Sequence, residues 1–304
     1  MMNLEEFAEN IIRDISNRTE GALHILKKNV VRNNNVKMTG ITVVKEGSGI
    51  EPCVYLEEFF REYKSGGMKF DEVVDEVYRL IMKNKDDIPK VDVSFFLNWE
   101  TVRDNIYAKL ISAEQNKEQL GEMPHRIFLD LAVVYYAVAR DSVGKEIGTV
   151  LIRNEHMEEW EQREEILYQT AMTNMRAEGE AELATIETVI KSIFPDNNLF
   201  LDDGGIQRNT GMYILTNRHN RFGAAEILDK NTLRRVADQM GDGFLVIPSS
   251  VHETIVLPPR DEEEYRQLAE MVREVNDTQV DIEERLSYHV YMYSRDEEAL
   301  KIAA

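Results

Sequence analysis

Residues 127 to 139 read Ile-Phe-Leu-Asp-Leu-Ala-Val-Val-Tyr-Tyr-Ala-Val-Ala, and this run constrains the fold more than any other stretch. Apart from Asp130 it is apolar or aromatic throughout, with no polar–apolar alternation. A strand that is apolar on both sides must be covered on both sides, so it belongs inside a layered fold. A helix buried all round would carry the same pattern, and periodicity alone does not separate the two. The run falls short of the roughly 20 apolar residues that a membrane-crossing helix needs. A charge within it is costly unless paired. Asp130 is therefore read as a buried pair with a base such as Arg126 or Arg140, as a bulge residue, or as part of a pocket wall.

The flanking segments have clearer periods. Leu4, Phe7, Ala8, Ile11, Ile12 and Ile15 mark one face of a helix. Residues 22–31 and 36–45 read as a hairpin across Asn33, Asn34 and Asn35, because asparagine tolerates left-handed backbone. A shorter helix is expected over 55–63. Phe70, Val73, Val74, Val77, Tyr78 and Ile81 predict a longer one, and Trp99, Val102, Ile106 and Leu110 another.

Beyond the apolar run, 146–153 reads as its partner strand. Helices are expected over 155–175 and 182–194, with a polar break between them. Segments 212–217 and 222–228 read as a second hairpin, followed by a helix carrying Leu233, Val236, Ala237 and Met240. Strands are expected at 244–248, 253–257 and 288–293, with a helix bearing Tyr265, Leu268, Ala269 and Val272. This order predicts an α+β fold, with mostly antiparallel sheets, helices packed on one face, and repeated β–β–α units in the second segment.

Charge suggests a division. Residues 1–120 hold 21 acids and 17 bases, whereas 121–304 hold 35 acids and 19 bases. The expectation is a first segment 1–120 and an acidic α+β domain 121–304. With a formal net charge of −20, long-range repulsion from phosphates makes nucleic acid an unsuitable partner. One cysteine, Cys53, allows no internal disulfide, and the first residues lack the pattern of a signal peptide. A cytoplasmic protein is expected, without a membrane partner.

Several phrases carry a resemblance. They are 124–135, Pro-His-Arg-Ile-Phe-Leu-Asp-Leu-Ala-Val-Val-Tyr; 212–217, Met-Tyr-Ile-Leu-Thr-Asn; 248–253, Pro-Ser-Ser-Val-His-Glu; and 54–60, Val-Tyr-Leu-Glu-Glu-Phe-Phe. Together they resemble a bacterial domain family of unknown function over nearly the whole chain. The second segment is more distantly similar to another uncharacterised bacterial family. The resemblance implies a bacterial protein of one architecture and brings no activity with it.

The densest cluster of reactive groups is Ser249, Ser250, His252 and Glu253. A serine nucleophile needs a histidine base oriented by a carboxylate, and all three types occur here. Triad members usually come from separate elements, and no nucleophile elbow surrounds these serines. The competing account is a strand end at Pro248, a serine-capped turn, and a new strand from His252. Glu155, His156 and Glu159 share a helix face but lack the ligand set that zinc prefers. Neither a metal nor a cofactor is expected.

Gly47, Ser48 and Gly49 lack the context of a phosphate loop and read as a turn. Lys27, Lys28, Arg32, Lys37 and Lys45 form a basic patch or guard a sheet edge. Ten acids between Glu155 and Glu187 form either a solvated face or a mimic of nucleic-acid phosphates. The leading expectation is a non-catalytic binding or regulatory protein that acts through a protein partner. The alternatives are a hydrolase or transferase using Ser249 or Ser250 with His252, and an acidic decoy of nucleic acid.

Overall fold

The computed structural model describes residues 2–44, 53–86, 93–140, 144–193, 211–259 and 261–304. Two compact units are present: Met1–Phe95 with Ala139–Gly148, and Phe96–Val138 with Thr149–Ala304. Gly47, Ser48, Gly49 and Lys45 lie outside the described residues.

In the first unit, helix α1 (Leu4–Arg18) starts at a capping box: Asn3 Oδ1 accepts from the Glu6 N–H at 2.9 Å, and the Glu6 carboxylate accepts from the Asn3 N–H at 3.1 Å. Strands β1 (Ile25–Val31) and β2 (Lys37–Val43) form the expected hairpin, paired from Ile25↔Val43 to Val31↔Lys37. Asn34 and Asn35 make its turn at φ 57° and 60°, the left-handed region that asparagine tolerates best after glycine. Strand β3 (Cys53–Tyr55) joins the β2 edge, followed by helices α2 (Glu57–Ser65) and α3 (Phe70–Asp86). Phe7, Ile11 and Ile15 from α1 meet Val73, Val74 and Val77 from α3 over Ile41 and Val54 of the sheet. Lys27 pairs with Glu5, and the Arg32 guanidinium lies 4.3 Å from the centre of the Tyr55 ring, so the basic patch has local partners.

In the second unit the short helix α4 (Trp99–Val102) leads into β4 (Ile106–Ser112). The helix expected from Trp99 to Leu110 is thus replaced by a turn and a strand. Ile106 and Leu110 fit a helical spacing, yet six of the seven β4 residues are buried, which a strand inside a sheet satisfies and a one-faced helix does not. After α5 (Lys117–Leu120), the apolar run forms β5 (Arg126–Phe128) and β6 (Leu131–Arg140). The long β6 pairs with β4, β5 and β7 (Glu146–Leu151). Helices α6 (Asn154–Glu159) and α7 (Glu164–Ala177) replace the single expected helix, since Glu161 takes φ 52° between them. Asn174 pins α7 to β4 by donating to the carbonyls of Arg103 (2.7 Å) and Ile106 (2.9 Å).

The remaining strands make one antiparallel six-stranded sheet. Strand β8 (Glu182–Thr185) occupies residues expected to be helical, with helix α8 (Ile186–Ile193) following. Pairing with β9 (Tyr213–Thr216) draws these four residues into the sheet edge, and Thr185 Oγ1 then accepts the Thr188 N–H at 3.2 Å to start the helix. The second hairpin does not form. Gly223–Leu228 is a 3-10 segment entered through Phe222 at φ 55°, so the expected second β–β–α unit is absent. Gly-Ala-Ala-Glu has little strand preference, and the Asp229 side chain caps helix α9 (Lys230–Met240) directly behind it.

Strands β10 (Gly243–Ile247) and β11 (Thr254–Leu257), helix α10 (Glu262–Gln279) and strands β12 (Tyr291–Ser294) and β13 (Ala299–Ile302) complete the unit. Leu245 and Ile247 pack with Val272 of α10, while Phe244 and Val246 are as deeply buried on the opposite face. The α+β class holds, with antiparallel sheets. Among the described residues no helix is long and apolar enough to cross a membrane.

Candidate functional site

Ser249, Ser250, His252 and Glu253 lie on the turn from β10 to β11, and their polar atoms serve that turn. Ser249 Oγ donates to the Glu253 carbonyl at 3.2 Å, and Ser250 Oγ accepts from the His252 N–H at 3.1 Å. His252 Nδ1 accepts from the Phe222 N–H at 3.2 Å, and Nε2 lies 3.5 Å from Glu284. The imidazole stacks on Phe222, with ring centres 5.6 Å apart and planes at 13°. The sequence cluster is therefore close in space, but among the described residues neither serine hydroxyl hydrogen-bonds an imidazole. Glu253 is half-buried, and desolvation holds its carboxyl above the ordinary range.

Asp130 sits at the β5–β6 turn. Its partners are hydroxyls rather than the arginines expected from sequence: Ser287 Oγ donates at 2.7 Å and Tyr291 Oη at 2.5 Å. Arg126 instead makes two 2.8 Å hydrogen bonds to Glu164, whose carboxylate also accepts from the Tyr135 hydroxyl. His156 Nδ1 accepts from the Arg153 N–H at 2.9 Å, so that ring helps to start α6.

A second group of charged residues, missed by the sequence reading, surrounds a cavity of about 320 Å³. The C-terminal end of α7 gives Arg176, the loop beyond it Gly179 and Glu180, the 3-10 segment Glu226, and the start of α9 Asp229, Thr232 and Arg235. Gly179 turns the chain from α7 towards β8 at φ 122°, a conformation that disfavours side chains. Asp229 is anchored twice. Its Oδ2 accepts the Thr232 N–H at 3.2 Å, and its Oδ1 accepts from Arg176 at 2.8–2.9 Å. Arg235 donates to the Ala181 carbonyl and lies 3.3 Å from Glu180.

Glu226 differs from its neighbours. It is 8% exposed and lines the cavity, yet its carboxyl accepts no hydrogen bond among the described residues. Burial, with Asp229 and Glu178 nearby, pushes this carboxyl up to about 7, against a smaller opposing pull from Arg235. Chemically, the cleft offers a largely buried acid with a raised pKa beside the Arg176–Asp229 pair. Its sequence signal resembles that of Asp130: one charge within an apolar run, Gly-Ala-Ala-Glu-Ile-Leu.

The model of a family of unknown function, DUF5688, matches residues 4–295. The chain belongs to that family. No curated protein and no solved structure matches it. The cleft residues, Asp130 and its hydroxyl partners, and the β10–β11 turn all lie within the matched residues.

Proposed function

We propose that this DUF5688 member is a non-catalytic binding protein whose second unit receives a lysine or arginine side chain of a protein partner in the Glu226 cleft. The observation that carries the reading is the buried Glu226 carboxyl, which lines a cavity without a hydrogen-bond partner among the described residues. A buried acid in this state gains most from a cation, which would complete its hydrogen bonds and favour its charged form. Arg176 and Asp229 are bound to each other at 2.8 Å, which leaves the Glu226 carboxyl as the acid open to an incoming cation. The net charge of −20 would draw a basic segment towards it.

Calorimetric titration with lysine- and arginine-bearing peptides tests the proposal. Binding near pH 7 should release protons, because a bound cation lowers the Glu226 pKa from about 7. Glu226→Gln should abolish that proton release and weaken binding about tenfold or more. The reading fails if basic peptides bind no better than neutral ones of equal length, or if Glu226→Gln binds unchanged.

A hydrolase or transferase using Ser249 or Ser250 with His252 has less support, because the hydroxyls and the imidazole are engaged within and beside the turn. Esterase, peptidase or phosphatase activity that disappears in His252→Ala would favour that alternative.

A further inference from the structure

The Glu226 cleft holds cations as well as acids. Arg176 near the end of α7 and Arg235 on α9 both line it. A lysine or arginine that reached Glu226 with no anion of its own would bring a third cation beside these two. Arg235 is already close enough to Glu226 to oppose the rise of its pKa. Repulsion among the cations would offset part of what the buried acid gains.

The two arginines are not equally engaged. Arg235 turns Nη1 to Glu180 at 3.3 Å and Nη2 to the Ala181 carbonyl. Arg176 turns Nε and Nη2 to a single oxygen, Asp229 Oδ1, at 2.9 and 2.8 Å. Its Nη1 meets no acceptor among the described residues, and its side chain is half-exposed. A guanidinium so held keeps one edge open to a second carboxylate.

Met175 adds an apolar lining against which a methylene stem can lie. A compact cavity of about 320 Å³ is roughly 8 Å across. In an extended lysine the ammonium and the α-carboxylate stand roughly 7 Å apart. Both ends of one residue therefore fit within the cleft.

Resting on the reading of Glu226 as a receptor for a cation, we infer that the cleft recognises a C-terminal lysine or arginine of the partner. The side-chain cation meets Glu226 and the terminal carboxylate meets the open edge of Arg176.

The test is calorimetric titration of the full chain with one short peptide in four forms. These end in lysine as the free acid, end in lysine as the amide, carry the lysine internally with a free acid end, or carry leucine in its place. The terminal-lysine acid should bind about tenfold tighter than the amide or the internal form. The net charge of −20 favours the amide, the more cationic of the two, so a preference for the acid must come from contact within the cleft. Arg176→Gln should bring acid and amide to equal affinity. Equal affinity of all three lysine peptides for the native chain overturns the inference and leaves the Glu226 reading standing. Failure of every lysine peptide to exceed the leucine control overturns both. Free lysine that binds as tightly as the acid peptide would overturn the chain-end assignment in favour of a free amino acid. A tenfold preference kept in a folded Arg176→Gln variant would overturn the role of Arg176. The comparison of acid with amide is made on the native chain, so it decides the outcome even if that variant does not fold.

Discussion

Glu226 links burial to pH most directly. Its folded pKa of about 7 exceeds the ordinary 4.5, so the folded state holds a proton that the unfolded chain has released. The resulting stabilisation is complete below about pH 4.5, declines as pH rises, and is gone above about 7. At 1.36 kcal/mol per unit, the loss amounts to ~3 kcal/mol at most. Glu226→Gln cannot ionise, so its melting temperature should equal that of the native chain near pH 4.5 and exceed it at pH 8. Equal pH profiles for the two would show that the carboxyl is solvated. Gly223, three residues earlier, is fixed by close approach: a Cβ there would sit 2.6 Å from the Asn217 nitrogen and 2.7 Å from the His252 carbonyl oxygen. Neither backbone atom can swing aside as a side chain does. Gly223→Ala should therefore destabilise by ~2 kcal/mol or more in denaturant titration.

At the scale of elements, α9 shows how a helix stripe is read and where the reading stops. Val236 is fully buried, as its spacing with Leu233 and Ala237 implies, and Val236→Asp should cost ~3 kcal/mol. The opposite face is less inert than the pattern suggests. Arg235, which lies off the Leu233–Val236–Ala237 stripe, reaches the Ala181 carbonyl, so Arg235→Ala should cost about 1 kcal/mol. Equal melting shifts for the two variants would contradict this placement of α9. Asp130 ties the β5–β6 turn to β12 through two hydroxyls. Tyr291→Phe leaves it with Ser287 alone, and unfolding should become easier by ~1–3 kcal/mol. An unchanged midpoint would mean that the Tyr291 hydroxyl contributes nothing to stability.

For the whole molecule, the excess of acids sets the terms of any encounter. The field of a chain at −20 extends about one Debye length, roughly 10 Å at 0.1 M salt. Association with a basic partner should slow steeply as salt is raised, while dissociation from the buried Glu226 contact changes less. Stopped-flow rates across a salt series would separate the two, and a salt-independent association rate would count against electrostatic steering.

Local patterning in the chain was enough for the α+β class, helices α1, α3, α9 and α10, the Asn-turned hairpin and the buried run around β6. Each rests on local chemistry or on a period that holds over several turns. The fate of short apolar segments depended instead on what they pack against in the fold. Ile106 to Leu110 became a strand because β6 on one edge and α7 on one face were there to bury it. Glu182–Thr185 became a strand because β9 had an open edge. The candidate sites divide in the same way. The β10–β11 turn was visible because its reactive residues are adjacent in sequence, whereas the Glu226 cleft gathers residues from 175 to 235. Periodicity records which residues must be buried; which partner buries them, and which charges then meet, depends on contacts between segments far apart in the chain.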